Sequence, residues 1–422
     1  MYADLVLYNI NQIFSPNDFG RPLKGTEMAQ ADIIQNGYIA VKDGKILKIG
    51  SGNVPKDILG SDTELKDLKG YTVTPGLIDS HTHLVHGGSR ENEFNLKLSG
   101  VSYLDILKAG GGILSTVKAT QNATFDELYD KAEASLNTML IHGTTTVEGK
   151  SGYGLNWETE EKQLKVAKKL NENHPADIIS TFMGAHAIPT EYKTEPEVFV
   201  KQLIEDMIPK VAQMDLAHFC DVFCEEGVFS VDQTRRILQS AKDSGLKLKI
   251  HADEIVSLGG AELAAEMGTH TADHLMAASE KGMELMAENN IIANLLPGTT
   301  FSLMKNTYAD ARKMLEKNLA LALSTDYNPG SCPTENLQLI MQLGSLAMKM
   351  TPIEVFNAVT INGAYALDKA TDRGSLKEGK NADLVVFNAP NLDYILYHFG
   401  VNHVKEVYKL GKLVVKDRNI LL

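Results

Sequence analysis

Near both ends of the chain, apolar and polar residues alternate with a period of two, the pattern of strands with one buried face. At the start, LVLYNINQIF is followed by GYIAVKDGKILKIG, which reads as a hairpin turning at Asp43-Gly44. At the other end, NADLVVFNAP and HVKEVYKLGKLVVKD repeat the style, with Gly411 at the turn. These flanks predict one small β-sandwich domain assembled from residues 1–70 and 371–422. Between them, short apolar or β-branched runs alternate with longer stretches of helical periodicity, the signature of parallel βα units. Eight strands are predicted there: GLIDSHTH, GTTTVEGK, DIISTFMGAH, CDVFCEE, LKLKIHADE, HTADHL, IIANLLPG and LALALSTD. TFDELYDKAEASLNTMLIHG, WETEEKQLKVAKKLNENHP and VDQTRRILQSAKDSG are helices among them. Eight strands with crossover helices predict a closed (β/α)8 barrel of the TIM type over residues 71–370. An open doubly wound sheet is the alternative, but no G-x-G-x-x-G follows the first strand.

Composition narrows the function classes. With 422 residues, 43% hydrophobic and 23% charged, the chain is an ordinary globular protein of two or three domains. Lys and Arg total 41 against 54 Asp and Glu, a net charge of -13, which argues against nucleic acid and anionic lipid as partners. An anionic substrate therefore needs a local cation to hold it. Cys220, Cys224 and Cys332 form no C-x-x-C pair, so buried thiols are expected rather than disulfides or a cysteine zinc site. MYADLVLYNINQIF has no basic leader region, and no apolar run reaches the length of a membrane span, so a cytoplasmic location is expected.

The unusual polar residues gather at the carboxyl ends of the predicted strands, where a barrel collects its catalytic groups. His81 and His83 lie two apart at the end of the first strand, so both imidazoles face the same side and can converge on one ion. His251 lies near the end of the fifth strand, with Asp253 and Glu254 after it, and Asp326 closes the eighth. A lone His-x-His is commonplace, and an Asp ending a strand can equally cap a helix. Three such coincidences on one rim predict a metal site of His81, His83, His251 and Asp326, suited to one Zn²⁺ or Fe²⁺.

The run TPGLIDSHTH, then HADE, then an Asp closing the eighth strand, all flanked by a split β domain, resembles the amidohydrolase superfamily of metal-dependent hydrolases. Longer motifs, HTHLVHGGSRENEF, KAGGGILSTVKATQ, KSGYGL, TFMGAHAIP, KIHADE, LLPGTTF and STDYNPGSCPTEN, are similar in order to one branch of it. Members of that branch open a five-membered imidazolone ring carrying a propionate, using water activated by a divalent metal. The resemblance implies that reaction here, and a homodimer. For it Asp326 is expected to be the base, His274 to polarise the carbonyl, and Glu254 to bond the ring N–H or shuttle a proton. Arg90, with its planar fork, is expected to take the propionate. Tyr153 and His186 resemble the family's ligand-binding pair, and Asn328, Gly330 and Ser331 are expected to line the same pocket.

Two other signals carry nothing. Gly149-Lys150-Ser151 imitates the tail of a phosphate-binding loop, but Thr144 stands where the cradle needs its earlier glycine. Gly110-Gly111-Gly112 lacks the following lysine and reads as a close-approach loop above the barrel. The two-metal relatives carry a carboxylated lysine on the fourth strand, whereas CDVFCEEG offers Cys224 and Glu225, so one metal is expected, with Glu225 open as a bridge to a second. The rival activity is a heterocycle deaminase of the cytosine or guanine type, which needs no carboxylate clamp. A noncatalytic relative that keeps only the fold is the third reading, disfavoured because all four expected ligands are present.

Overall fold

The computed structural model describes residues 1–101 and 111–421; Gly110 of the glycine run lies outside them. At the N-terminus, strands β1 (Leu5–Pro16), β2 (Ala31–Lys42), β3 (Lys45–Ser51), β4 (Glu64–Asp67) and β5 (Thr72–Pro75) form half of a nine-stranded mixed sheet. The eight strands β6 (Leu77–Asp79), β7 (Thr144–Lys150), β8 (Asp177–Ala185), β9 (Phe219–Cys224), β10 (Lys247–Ala252), β11 (Thr271–His274), β12 (Ile292–Leu295) and β13 (Ala320–Leu323) are all parallel and neighbour one another in chain order. The chain then returns to the mixed sheet with β14 (Leu384–Phe387), β15 (Val404–Lys409), β16 (Lys412–Lys416) and β17 (Asn419–Ile420).

The sandwich is one sheet folded over rather than two stacked ones. β14 pairs with β5, which pairs with β1, so the two chain ends are hydrogen-bonded neighbours. Ile39, Val41 and Ile46 from one end share a core with Leu384, Val386 and Tyr408 from the other. Asp43 and Gly44 both take positive φ, 49° and 75°, the geometry that a two-residue hairpin turn requires. The sequence boundary at residue 70 falls too early: Thr72–Pro75 is a strand of the mixed sheet, because TVTP pairs with β14 before the chain enters the barrel. Leu23 and Met28, within the nominal sheet segment, pack instead into the barrel's core.

Helices cover the barrel strands, and their starts follow capping rules. Thr124 accepts from the backbone N–H of Glu127 at 3.2 Å, and the Glu127 carboxylate accepts from Thr124 N at 2.8 Å, opening Phe125–Ile141. Ser230 and Gln233 do the same for Val231–Asp243. Closure between β13 and β6 joins a short parallel bridge, Thr82 with Tyr327, to one buried carboxylate. Asp79 accepts from Thr325 N at 3.0 Å and Thr325 Oγ1 at 2.7 Å, while Asp326 N donates to His81 O at 3.0 Å. That seam carries His81, His83 and Asp326 together. No helix among the described residues is long and apolar enough to cross a membrane. The three cysteines are buried free thiols.

Candidate active site

Strand alternation places the first ligand candidates. In β10 the sequence KLKIHA puts Lys249 and His251 on one face, and past β6 the same alternation aligns His81 with His83. The His81 ring lies 5.5 Å from that of His83 and 4.5 Å from that of His251, centroid to centroid. One nitrogen of each of the three lies within 4.8 Å of the others, and a second set with that property joins His81, His274 and Asp326. Alternation alone would turn His274 outward, since Asp273 beside it faces the lumen; a φ of 75° swings it into the mouth instead. Asp326, past the end of β13, takes a φ of 56° and brings Oδ1 to 3.4 Å from His81 Nε2 and 3.7 Å from His83 Nε2.

These groups fit a cation. His81 Nε2 and His251 Nε2 are buried nitrogens with no hydrogen-bond partner, which is costly unless something electrophilic sits between them, and His83 Nε2 turns toward the same Asp326 oxygen as His81 Nε2. The outer nitrogens of His81 and His251 are held: Asp273 Oδ2 lies 2.5 Å from His81 Nδ1, and Asp221 Oδ1 lies 3.1 Å from His251 Nδ1. A carboxylate on Nδ1 fixes the proton there and leaves Nε2 free for a metal. Burial, with the charge of Lys150 adding to it, keeps His81 well below its ordinary pKa. Burial also depresses His83 and His274. His251 goes the other way: burial opposes its protonation, but the Asp221 carboxylate more than offsets that and holds it above the usual value. Burial pushes Asp326 up to about 7 against the hydrogen bond from Thr299 Oγ1 at 2.5 Å.

Above the cluster opens a cavity of about 460 Å³. His83, His251, His274, Asp326, Arg90, Tyr153, His186, Glu254, Asn328, Gly330 and Ser331 all line it, whereas His81 lies beneath it and Asp253 and Glu225 do not line it. The His186 ring stacks on His83 at 4.7 Å and 12°, and Tyr153 closes the same wall 5.1 Å from His186. Glu254 is largely buried, which raises its pKa, and lies 3.8 Å from His274 Nδ1. Asn328 Oδ1 accepts from the N–H groups of Gly330 and Ser331, both at 2.8 Å, shaping the loop after Asp326. A Cβ on Gly330 would collide with the Arg90 guanidinium, so only glycine permits this approach.

The structure changes the reading of Arg90. Its Nε and Nη2 donate to Glu93 Oε2 at 3.0 and 2.8 Å, because Glu93 sits one turn along the helix Glu91–Leu98. One edge of the fork is therefore engaged, and Nη1 is the group that faces Gly330. Lys97, which sequence reasoning missed, supplies a further cation on the same wall and donates to Gly330 O at 3.2 Å. Its helical spacing of seven from Arg90 is a signal that could have found it.

Other carboxylates hold the loops, and of these Glu160 was not singled out from the sequence. Glu160, fully buried, accepts from the N–H groups of Gly152, Gly154 and Leu155 at 3.0, 2.8 and 2.9 Å, fixing the loop that carries Tyr153. Asp253 is spent on four N–H groups from Leu258 to Ala261, capping the helix Gly260–Met267. Glu225 accepts from the N–H groups of Glu226 and Ile255, both at 2.8 Å, which ties the loop after β9 to the loop after β10.

A model of the amidohydrolase family matches residues 72–414. The chain is 58% identical to the imidazolonepropionase of Alkaliphilus metalliredigens (strain QYMF) over 422 residues, 100% of both chains. It is 56% identical over 421 residues to that of Streptococcus gordonii (strain Challis), again across 100% of each. Among solved structures, an adenosine deaminase from Xanthomonas campestris with bound zinc superposes with a TM-score of 0.72 at 18% identity, over 99% of this chain and 94% of that one. At that identity the likeness is one of fold.

Proposed function

The chain belongs to the amidohydrolase family, among the imidazolonepropionases, and from that premise we propose that it hydrolyses 4-imidazolone-5-propionate to N-formimino-L-glutamate, a step of histidine degradation. The observation that supports this best is the joining, in one cavity, of a three-histidine cluster with a carboxylate-binding wall at Arg90.

His81, His83, His251 and Asp326 would hold one divalent ion, zinc or iron(II), since three imidazoles and a carboxylate suit both. A divalent ion held there would supply Lewis acidity, lowering the pKa of a bound water toward neutrality. The chain's own groups do the rest. Asp326 receives the proton of the attacking water and delivers it to the departing ring nitrogen. His274, kept neutral by burial, donates to the carbonyl oxygen as negative charge develops on it. Glu254 accepts the ring N–H. Arg90 through Nη1, with Lys97 beside it, holds the propionate, and Tyr153 and His186 flank the ring. Asn328, Gly330 and Ser331 complete the pocket beside Asp326.

The Arg90 wall also separates this reading from a deaminase acting on a neutral base. The proposal extends to a cytoplasmic enzyme whose partners are this small anion and a second copy of itself. Sedimentation checks the dimer. The activity is tested by generating imidazolonepropionate in place from urocanate with urocanase and following its ultraviolet loss with and without metal-loaded protein. Faster loss with formiminoglutamate formed and no ammonia released is expected. A folded, metal-loaded protein that leaves the rate of spontaneous loss unchanged overturns the assignment.

A further inference from the structure

Beneath the histidines the barrel lumen carries charges that the reaction above does not use. Glu148 and Lys150 on β7, Asp221 on β9, Lys249 on β10 and Asp273 on β11 are all at most 1% exposed. An unpaired buried charge costs several kcal/mol even after relaxation, so five at one level survive only through their partners. Several of the contacts join strands that are not neighbours, which is possible only across the lumen. Lys150 Nζ lies 2.6 Å from Asp221 Oδ2, 2.9 Å from Glu148 Oε2 and 3.7 Å from Asp273 Oδ2. Asp221 uses its other oxygen on His251, at 3.1 Å from Nδ1 and 3.2 Å from the backbone N–H, while Asp273 Oδ2 holds His81 Nδ1 at 2.5 Å. One continuous chain of contacts thus runs His251, Asp221, Lys150, Asp273, His81. Lys249 has a different place: it pairs with Glu148 at 2.9 Å and donates to Ser80 O at 3.1 Å.

We propose that Lys150 is the positioning residue of the metal centre: its ammonium ties Asp221 to Asp273 and thereby sets the rotation of both His251 and His81, so that their Nε2 atoms meet on one ion. A carboxylate that holds Nδ1–H selects the ligand tautomer, but by itself it can swing and carry the ring with it. Tying two such carboxylates to one cation, tethered covalently to β7, couples the two rings. Lys150 also contacts Glu148 and Asp273, two members of a further cluster, completed by His81, whose ligand atoms lie within 4.8 Å of one another. The charge that cluster could draw from a second ion is supplied by the chain itself.

The inference rests on His81 and His251 being metal ligands, and the experiment separates the two claims. Zinc dissociation constants are measured by chelator competition for the wild type, K150M, the charge-balanced double variant E148Q/K150M, E148Q alone and H251A. K150M and the double variant are expected to bind zinc about 10–100-fold more weakly, whereas E148Q alone stays near the wild type. At saturating metal, kcat falls with KM nearly unchanged, and the visible absorption of the cobalt-loaded protein shifts. Removing Lys150 alone strands excess buried carboxylates and can prevent folding; the double variant keeps the balance while leaving Asp221 and Asp273 untied. A folded double variant with wild-type zinc affinity and an unchanged cobalt spectrum overturns the role of Lys150 if H251A loses the metal. If H251A also keeps wild-type affinity, the ligand assignment itself is wrong.

Discussion

At the scale of single residues, chemistry depends on which atom of a side chain is left free. His81 and His251 are an example: each imidazole is satisfied at Nδ1 by a carboxylate and left without a partner at Nε2. Asp326 carries two proposed roles, so Asp326→Asn is expected to lower kcat by about 10³-fold or more, the scale of losing a charged ligand together with the base. A metal-loaded variant with near-normal turnover would remove it from both. For Arg90 the engaged Nε–Nη2 edge matters. Arg90→Lys keeps the charge but loses both the Glu93 clamp and the planar group, and KM is expected to rise about tenfold with kcat little changed. Steady-state kinetics decides; an unchanged KM would assign the propionate to Lys97. Residue identities at strand ends were readable from the sequence. The Glu93 clamp was not, because it depends on how the helix Glu91–Leu98 docks its buried Glu93 beside the loop at Gly330.

At the scale of elements, buried carboxylates set the shape of loops at the strand ends. Glu160 in a helix holds the Tyr153 loop, and Asp253 anchors the helix that follows β10. Helix ends show a related device with a pH consequence. His174, just past Trp157–Asn173, lies with Nε2 3.1 Å from Asn137 Oδ1 and accepts from Ala176 N–H at 3.0 Å through Nδ1, which only the neutral ring can do. Burial lowers its pKa to about 4. The unfolded chain, with an ordinary histidine near about 6.5, binds the proton first, so stability falls as pH drops from there toward the folded value. His174→Gln is expected to flatten that acid limb by about 1–3 kcal/mol, read as a smaller loss of Tm between neutral and mildly acid buffers. Parallel Tm-versus-pH curves for the two proteins would show that His174 does not carry the effect.

At the scale of the molecule, barrel, seam and site form one arrangement. The mixed sheet and the barrel are bound through Lys409, whose Nζ lies 2.6 Å from Asp177 at the start of β8 and 2.5 Å from Asp383 ahead of β14. A cation held among the three histidines and Asp326 would join groups from β6, β10 and the β13 end, so it would bind the folded chain alone and stabilise it by mass action. Stripping the protein with a strong chelator is expected to lower Tm by several degrees, and zinc to restore it. Binding should also release protons near neutrality, because Asp326 is raised to about 7 and His251 is held above its ordinary value, and both must be deprotonated to ligate. Zinc affinity therefore rises as pH climbs through that range. Calorimetry in buffers of different ionisation enthalpy measures the protons released; none released would mean that these two groups are not ligands.

Periodicity alone determined the eight parallel strands, the two hairpins at the chain ends and the rim on which His81, His83, His251 and Asp326 gather, because side-chain direction along a strand follows from its local geometry. Motif resemblance reached the cavity residues from Arg90 to Ser331 for the same reason: they follow strand ends at short range. What only the tertiary structure decided lies across the lumen and between layers. Lys150 had the look of a failed phosphate loop, yet it pairs with strands two and four places round the barrel. His274 faces the mouth through one positive φ that the alternation of its strand does not foretell. TVTP pairs with a strand more than 300 residues away. Such contacts are set by which strands the closed barrel and folded sheet bring opposite each other, and a linear pattern contains no term for that.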